Sequence, residues 1–550
     1  MRRTKVFYKI NKGIIAWAIL ALSLLVVQAN AFSLADDDIK PSNLEERIYL
    51  VHSDSLMFDQ IAHPDAQRLS GNVIFRHKGM TLYCDSAVMY EKSQSFEAFG
   101  KVRMIQGDTL SLTGKYLFYD GNAQLAQVRY EVEMKHREQT LLTDSLNYDR
   151  IYSLGYYFEG GKLIDGDNVL TSDWGEYYTN SRKSTFNYNV KLDNPKFTLT
   201  SDTLHYDTRS RWSEIVGPSN IVSGDSHIYT ESGFYNSDSE IVKLYKHSVI
   251  YNKGTKMTGD SIFYDKLSGE MCAYDNIEYE DTKNKNILVG NYCRYNELTG
   301  EALAYDRALA KDYSSGTDTL FVHADTLRLH SFNIDTDSVY RVMHGYFHVR
   351  AYRADVQAVC DSLVANSKEK KLTMFRDPIV WSGNRQILGE EINVFSNDST
   401  IDSVHVARQA LMVEQVDSTH FNQVAGQLMR AYFDKNGDIK ENRVNGNVYV
   451  VQYPMEKDSI LLYQNYTETT EIRMFMQNRK LKRLWSPAAD GAFYPIGMAP
   501  PERTKLENFA WFDYIRPIDK NDVFVWRGKA KGTELKPVIR REAPLQNLKK

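Results

Sequence analysis

Residues Gly254 to Gly259 have the spacing of a loop that cradles phosphate through its backbone amides, but Asp260 stands where the phosphate-binding lysine is required, so the match fails. His344 and His348 lie four apart without a third ligand nearby in sequence, and no Cys-x-x-Cys occurs; surface histidines are the simpler reading. The many aspartates suggest the paired carboxylates of glycoside hydrolysis. Such carboxylates form a unique pair in one cleft, whereas these recur at regular intervals, which suits turn residues. Neither Gly-x-Ser-x-Gly nor His-Glu-x-x-His is present, and Gly160-Gly161 stands alone where calcium-binding nonapeptides need a run of such pairs. The chain therefore reads as a non-enzyme, with no catalytic residue, no metal site and no cofactor.

What recurs is a phrase: Asp, Ser or Thr, an aliphatic residue, any residue, an aromatic, and often Asp or Asn. Asp54 to Asp59 is the first clear instance, and Asp144 to Asp149, Asp202 to Asp207 and Asp260 to Asp265 recur, these last three separated by 58 residues each. Asp173 to Tyr177 and Glu231 to Tyr235 stand halfway between, so the period is 29. Further instances begin at Asp85, Lys115, Asn291, Asp325, Asp361 and Glu391. A second anchor keeps the same beat through Gly71-Asn72-Val73, Gly100-Lys101-Val102, Tyr130-Glu131-Val132, Asn189-Val190 and Asn276-Ile277. Two anchors in one period mark a repeat architecture.

Within the phrase the aliphatic and aromatic residues lie two apart, the alternation of a strand with one buried face. Each unit is expected to supply two strands, with the Asp-Ser pair at the first turn and Gly or Asn giving positive φ to the turn that opens the second. The fold class is all-β: an elongated, stacked antiparallel sheet, in which twelve units would extend ~115 Å at ~4.8 Å per strand. The repeat loosens after about Asp337, where the sheet is expected to continue irregularly. The Pro-rich stretch from Pro487 to Pro501 reads as a surface loop, and the aromatic stretch from Asn508 to Val525 as a cap over the end of the stack.

The first residues set the compartment. Arg2, Arg3, Lys5, Lys9 and Lys12 precede an apolar run from Ile14 to Val27, then Ala29-Asn30-Ala31, the pattern of a signal peptide cleaved after Ala31. No cysteine follows at a lipid-attachment position. Removing five basic residues takes the formal charge from −4 to −9, and the stretch from Arg527 to Lys550 holds eight basic residues and two acids, so about −15 falls on residues 32–526. Nucleic acid is thereby a poor partner. The expected organisation is 1–31 signal peptide, 32–340 repeat domain, 341–526 irregular β region with its cap, and 527–550 basic tail. Cys84, Cys272, Cys293 and Cys360 are too few for a disulfide scaffold, and buried free thiols are the simpler reading; Cys84 and Cys360 each precede Asp-Ser, a repeated packing position.

With these residues in place, the chain resembles the OstA/LptA family of periplasmic lipopolysaccharide-transport proteins, in particular its longer OstA-like members. The likeness starts at Ile48 to Phe58, passes through Gly71-Asn72-Val73 and Leu82 to Tyr90, and covers residues 46–340. It implies an LptA-like β-jellyroll folded like a taco, whose apolar groove holds the acyl chains of lipopolysaccharide or a related lipid A-type glycolipid on its way to the outer membrane. It also implies envelope-transport proteins of the inner and outer membranes as partners. The chain is far longer than the short bridge protein of that family and shows no alternating lipid-facing strands of a membrane barrel. By the two-residue alternation, the groove-facing positions are Leu56, Phe58, Leu146, Tyr148, Leu204, Tyr206, Ile262 and Tyr264, while Met57, Asn147, His205 and Phe263 face outwards. A closed core would use the same positions. The alternative reading, from a different class, is a right-handed β-helix enzyme or adhesin acting on polysaccharide.

Overall fold

The computed structural model describes residues 47–533 apart from 62–63, 315–317, 335, 337, 398–400, 436–437, 455–460, 478–479 and 532. The signal peptide and nearly all of the basic tail lie outside these residues. The 29-residue period becomes two antiparallel strands per unit: Phe197–Asp207 pairs with Trp212–Ser223, that strand with Ser226–Asn236, and so on through Ile241–Asn252 and Thr255–Asp265. All described strands join one 36-stranded sheet. Because neighbours in sequence are neighbours in the sheet and run antiparallel, the chain folds as a serpentine stack. A right-handed β-helix, whose coils pair in parallel, is excluded.

Two kinds of turn alternate. The closing Asp of the phrase makes the longer one: Asp149 Oδ1 accepts from the amides of Ile151 and Tyr152 at 2.9 and 3.1 Å, and Asp207 Oδ1 from Arg209 and Ser210 at 2.8 and 3.1 Å. The shorter turns include Lys78-Gly79 and Lys253-Gly254, both residues at positive φ, as two-residue hairpins require.

The opening Asp of the phrase is not at a turn, and neither is the Gly-Asn anchor; here the structure departs from the sequence reading. Both sit mid-strand. Tyr188 and Asn189 have φ of 64° and 52°, and the pairing register slips between Asn187 and Val190. This bulge bends the long strand into two arms, and the Asp on the neighbouring strand braces the corner. Asn189 Nδ2 donates to Asp173 Oδ2 at 2.7 Å, Asn276 Nδ2 to Asp260 Oδ2 at 2.6 Å, and the Asp54 amide to the Gly71 carbonyl at 2.9 Å. At Gly100, φ is +68° and a Cβ would fall 2.5 Å from Asp85 Oδ2. The positive φ expected of these residues is present, but it belongs to a bulge: the bulged strand keeps its inward alternation across the corner, Phe186 and Val190 both being buried, so its sequence shows no break there.

Some rungs of the stack break at the corner into two short strands. Leu154–Tyr157 and Gly161–Asp165 both pair with Gln139–Asp149, and Glu301–Tyr305 and Leu309–Asp312 both pair with Asn286–Asn296. The sheet continues past residue 340 to Ala489–Pro495. That strand occupies part of the stretch read as a Pro-rich loop; it pairs with Tyr463–Gln477 on one side only, and a strand edge tolerates Pro495 as its final paired residue. Folding every rung in half brings two inner faces together, and the main hydrophobic core lies between them.

The four cysteines are free, and Cys84, Cys293 and Cys360 are buried. Cys84 pairs with Val73 and Cys360 with Val349, each just beyond a corner, and burial pushes both thiols up to about 12.

Candidate functional site

The long turns mark the tips of one arm and the short turns the tips of the other, so the space between the arms has a mouth along the stack. Of the eight positions assigned to a groove, Leu146, Tyr148, Leu204, Tyr206 and Ile262 are 0–2% exposed and Tyr264 is half-buried. Leu56 and Phe58 share this face, Leu56 opposite the buried Leu69, yet stay about half exposed at 52% and 51% because their rung ends the stack. Among the outward positions, Met57 and His205 are exposed and Phe263 is intermediate. Asn147 is buried, against the alternation, because Arg129 Nη2 lies across it and donates to Oδ1 at 3.0 Å.

In the first half of the stack the mouth is shut. Tyr119, Tyr148, Tyr177, Tyr206 and Tyr235 recur every 29 residues near the long-turn tips and alternate down the sheet with Ala126, Gly155, Ser184 and Ser213, whose small side chains leave the rings room. Four of the five meet the opposite tips through a hydroxyl or ring, while the Tyr148 hydroxyl lies 3.4 Å from Thr179 Oγ1 in the next long turn. Tyr119 lies 2.7 Å from His77 Nδ1 and accepts from Arg150 Nη1 at 2.7 Å; Tyr177 lies 2.6 Å from His136 Nδ1. Tyr206 donates to Asp165 Oδ2 at 2.6 Å and accepts from Asn168 Nδ2 at 3.0 Å, while the Tyr235 ring packs edge-on to Phe197 at 4.4 Å. Burial, then the Asp165 carboxylate, holds the Tyr206 phenol far above its ordinary range. Burial, aided by Arg137 and Arg182, lowers His136 to about 4, so it is neutral here at pH 7.

Beyond Tyr264 the lining changes. The corner is filled by small residues, Ala273, Ala304, Ala308 and Ala324, all 0% exposed. Further out on each arm, the inner face carries apolar residues that are only half-buried: Met343, Leu372, Val394 and Val404 on the long-turn arm, and Ala358, Val380, Ile387 and Met412 on the other. Each series is continuous across adjacent rungs, as in Leu372 to Val394 to Val404 and Ala358 to Val380 to Ile387 to Met412. An apolar trough with two opposed walls results.

The short-turn arm also has a covered outer face. The segment from the helix Pro501–Thr504 to Phe524 does not cap the end of the stack; it runs back along this face as a strap. Gln423 holds it by donating to the Thr504 carbonyl at 3.0 Å and accepting from the Leu506 amide at 2.9 Å. Gln386 repeats the contact on Ala510 and Phe512 at 2.9 and 2.7 Å. Arg516 Nε donates to Gln357 Oε1 at 2.7 Å, and the fully buried Arg350 meets Asp522 at 3.3 Å. Leu506, Phe512 and Ile515 close over Trp381, Leu411, Val413 and Val451 in a second hydrophobic core. Sequence reasoning recognised the aromatic packing here but not the glutamines: Gln357, Gln386, Gln423 and Gln464 recur on every second rung, but their spacing in sequence widens as the repeat loosens, so no fixed period announces them.

Residues 45–202, which hold the first corners and the seam tyrosines Tyr119, Tyr148 and Tyr177, match the OstA-like protein family. This part of the chain is similar to OstA-like proteins. The matched segment thus covers the first rungs of the shut part, which continues through Tyr206 and Tyr235, while the trough and strap lie well beyond it. Among solved structures, the chain is similar to LptH, the LptA homologous periplasmic component of the lipopolysaccharide transport device from Pseudomonas aeruginosa, at 15% identity and a TM-score of 0.13, over 24% of this chain and 76% of that one. No curated protein matches the chain.

Proposed function

We propose that this protein is an exported, periplasmic carrier that binds lipopolysaccharide, or a related lipid A-type glycolipid, by its acyl chains and passes it along the stack towards the outer membrane, together with envelope-transport proteins of the inner and outer membranes. The observation that carries this reading is the apolar inner face, continuous from rung to rung, which an OstA-like segment begins. Acyl chains need only apolar contact, worth roughly 0.8 kcal/mol per buried methylene, so a uniform apolar track binds them without fixing them at one point. The LptH name, that of a periplasmic lipopolysaccharide-transport component, accords with the reading. The chain isolated from cells is expected to begin at Phe32 and to carry lipid A-containing lipid by mass spectrometry. A cytosolic protein that retains Met1, or an envelope protein free of lipid, would overturn the proposal.

A further inference from the structure

We infer that the acyl chains are held in the trough between Met343 and Met412, and not in the tyrosine-shut half. The inference rests on the lipid-carrying reading above and goes further by placing the site outside the OstA-like segment.

Three observations converge. In the shut half the two inner faces already fill each other: Leu146, Tyr148 and Leu204 are 0% exposed and Tyr206 is 1%, so a chain can enter only if the seam parts. In the trough Leu363, Ile392 and Val406 near the corner are buried as Leu146 and Leu204 are, but the tip-side positions, where the shut half has its buried tyrosines, are half-buried, with no polar side chain in the two central series, so they offer apolar surface to a guest. Leaving this surface open would favour collapse of the arms, but the strap gives the short-turn arm a second core on its outer face. That arm is therefore supported without contact from its partner.

The rim adds charge complementarity. Arg341 sits exposed at the long-turn tips near Tyr295 on its own arm and Tyr279 on the other, beside the carboxylates Glu297 and Asp281. Lys368, placed over the Tyr340 ring at 5.0 Å, and Lys371 stand beside it. A phosphorylated headgroup at this rim, with its acyl chains in the trough, matches both surfaces, and lipopolysaccharide is the occupant with that chemistry.

The test uses the full mature chain with a photo-crosslinking amino acid at Met343, Leu372 or Val404 in the trough, and at Leu146 or Leu204 in the shut half, mixed with rough-type lipopolysaccharide. Trough positions are expected to label several-fold more strongly. Equal or stronger labelling in the shut half overturns this assignment while the carrier reading stands; no labelling anywhere, with no lipid co-purified, overturns both. Because crosslinker insertion at Leu146 could unfold its rung, Arg341→Gln, an exposed change, is the second variant. It should weaken lipopolysaccharide binding roughly fivefold with an unchanged melting curve, and unaltered binding would count against the rim.

Discussion

The hydroxyl of Tyr206 donates a 2.6 Å hydrogen bond to Asp165 Oδ2, tying the tip of one arm to the tip of the other across 41 residues of chain. Asp165 also accepts from Gln139 Nε2 at 3.1 Å, so the contact belongs to a buried polar cluster at the seam.

Removing only that hydroxyl, in Tyr206→Phe, leaves a buried carboxylate short of a donor and is expected to cost about 1–3 kcal/mol in a denaturant titration. His205→Ala, one residue away but exposed, should stay within about 0.5 kcal/mol. Similar losses for both would show that the seam does not hold the arms.

His136 is lowered to about 4 by burial, whereas the unfolded chain takes up the same proton near its ordinary value of 6.5. As pH falls through that window, the unfolded state binds more protons, so stability present at pH 7 is progressively lost between 6.5 and 4. The contribution is at most on the order of 3 kcal/mol. His136→Gln should flatten the slope of melting temperature against pH in this range, and an unchanged slope would refute the assignment.

At the corner, Gly100→Ala meets both a positive φ and the Asp85 side chain and is expected to cost about 1–3 kcal/mol. Adding Asp85→Ala should restore part of that loss, since it removes the clash and leaves the strained backbone. Thermal melts of the single and double variants measure the split.

Gln386→Ala strips a buried acceptor and donor from the backbone at Ala510 and Phe512, and roughly 1–3 kcal/mol should be lost from docking of the strap. Limited proteolysis is expected to cut within residues 501–524 while the OstA-like segment stays protected. If the segment from 47 onward is cut at the same rate, strap and stack unfold as one unit.

Much of this architecture was legible because Leu204 and Tyr206 repeat at a fixed distance from Asp202, and a strand's alternation carries that spacing directly into an inward face. The corner was not, because Tyr188 and Asn189 have the same dihedral signature as a hairpin turn, and only pairing across the bend distinguishes the two. The seam was illegible for another reason. Its tyrosines are periodic, but their partners across the mouth are histidine at His77 and His136, a carboxylate at Asp165 and a ring at Phe197, so no second pattern announces them. The carbon-lined trough was illegible because Leu372 or Val404 in sequence looks like any core residue, and partial burial is set by tertiary packing.

Pairing each strand with its immediate successor keeps the sheet's contacts short in sequence, typical of chains that fold quickly by local closure. Strands can therefore add one at a time, in the order in which the chain is delivered, without awaiting its C-terminus. The strap breaks that rule: Arg516 reaches back 159 residues to Gln357, and Asp522 reaches back 172 to Arg350. Its docking is necessarily a late event in maturation, and a chain truncated before residue 501 would assemble a full sheet that never acquires its second core.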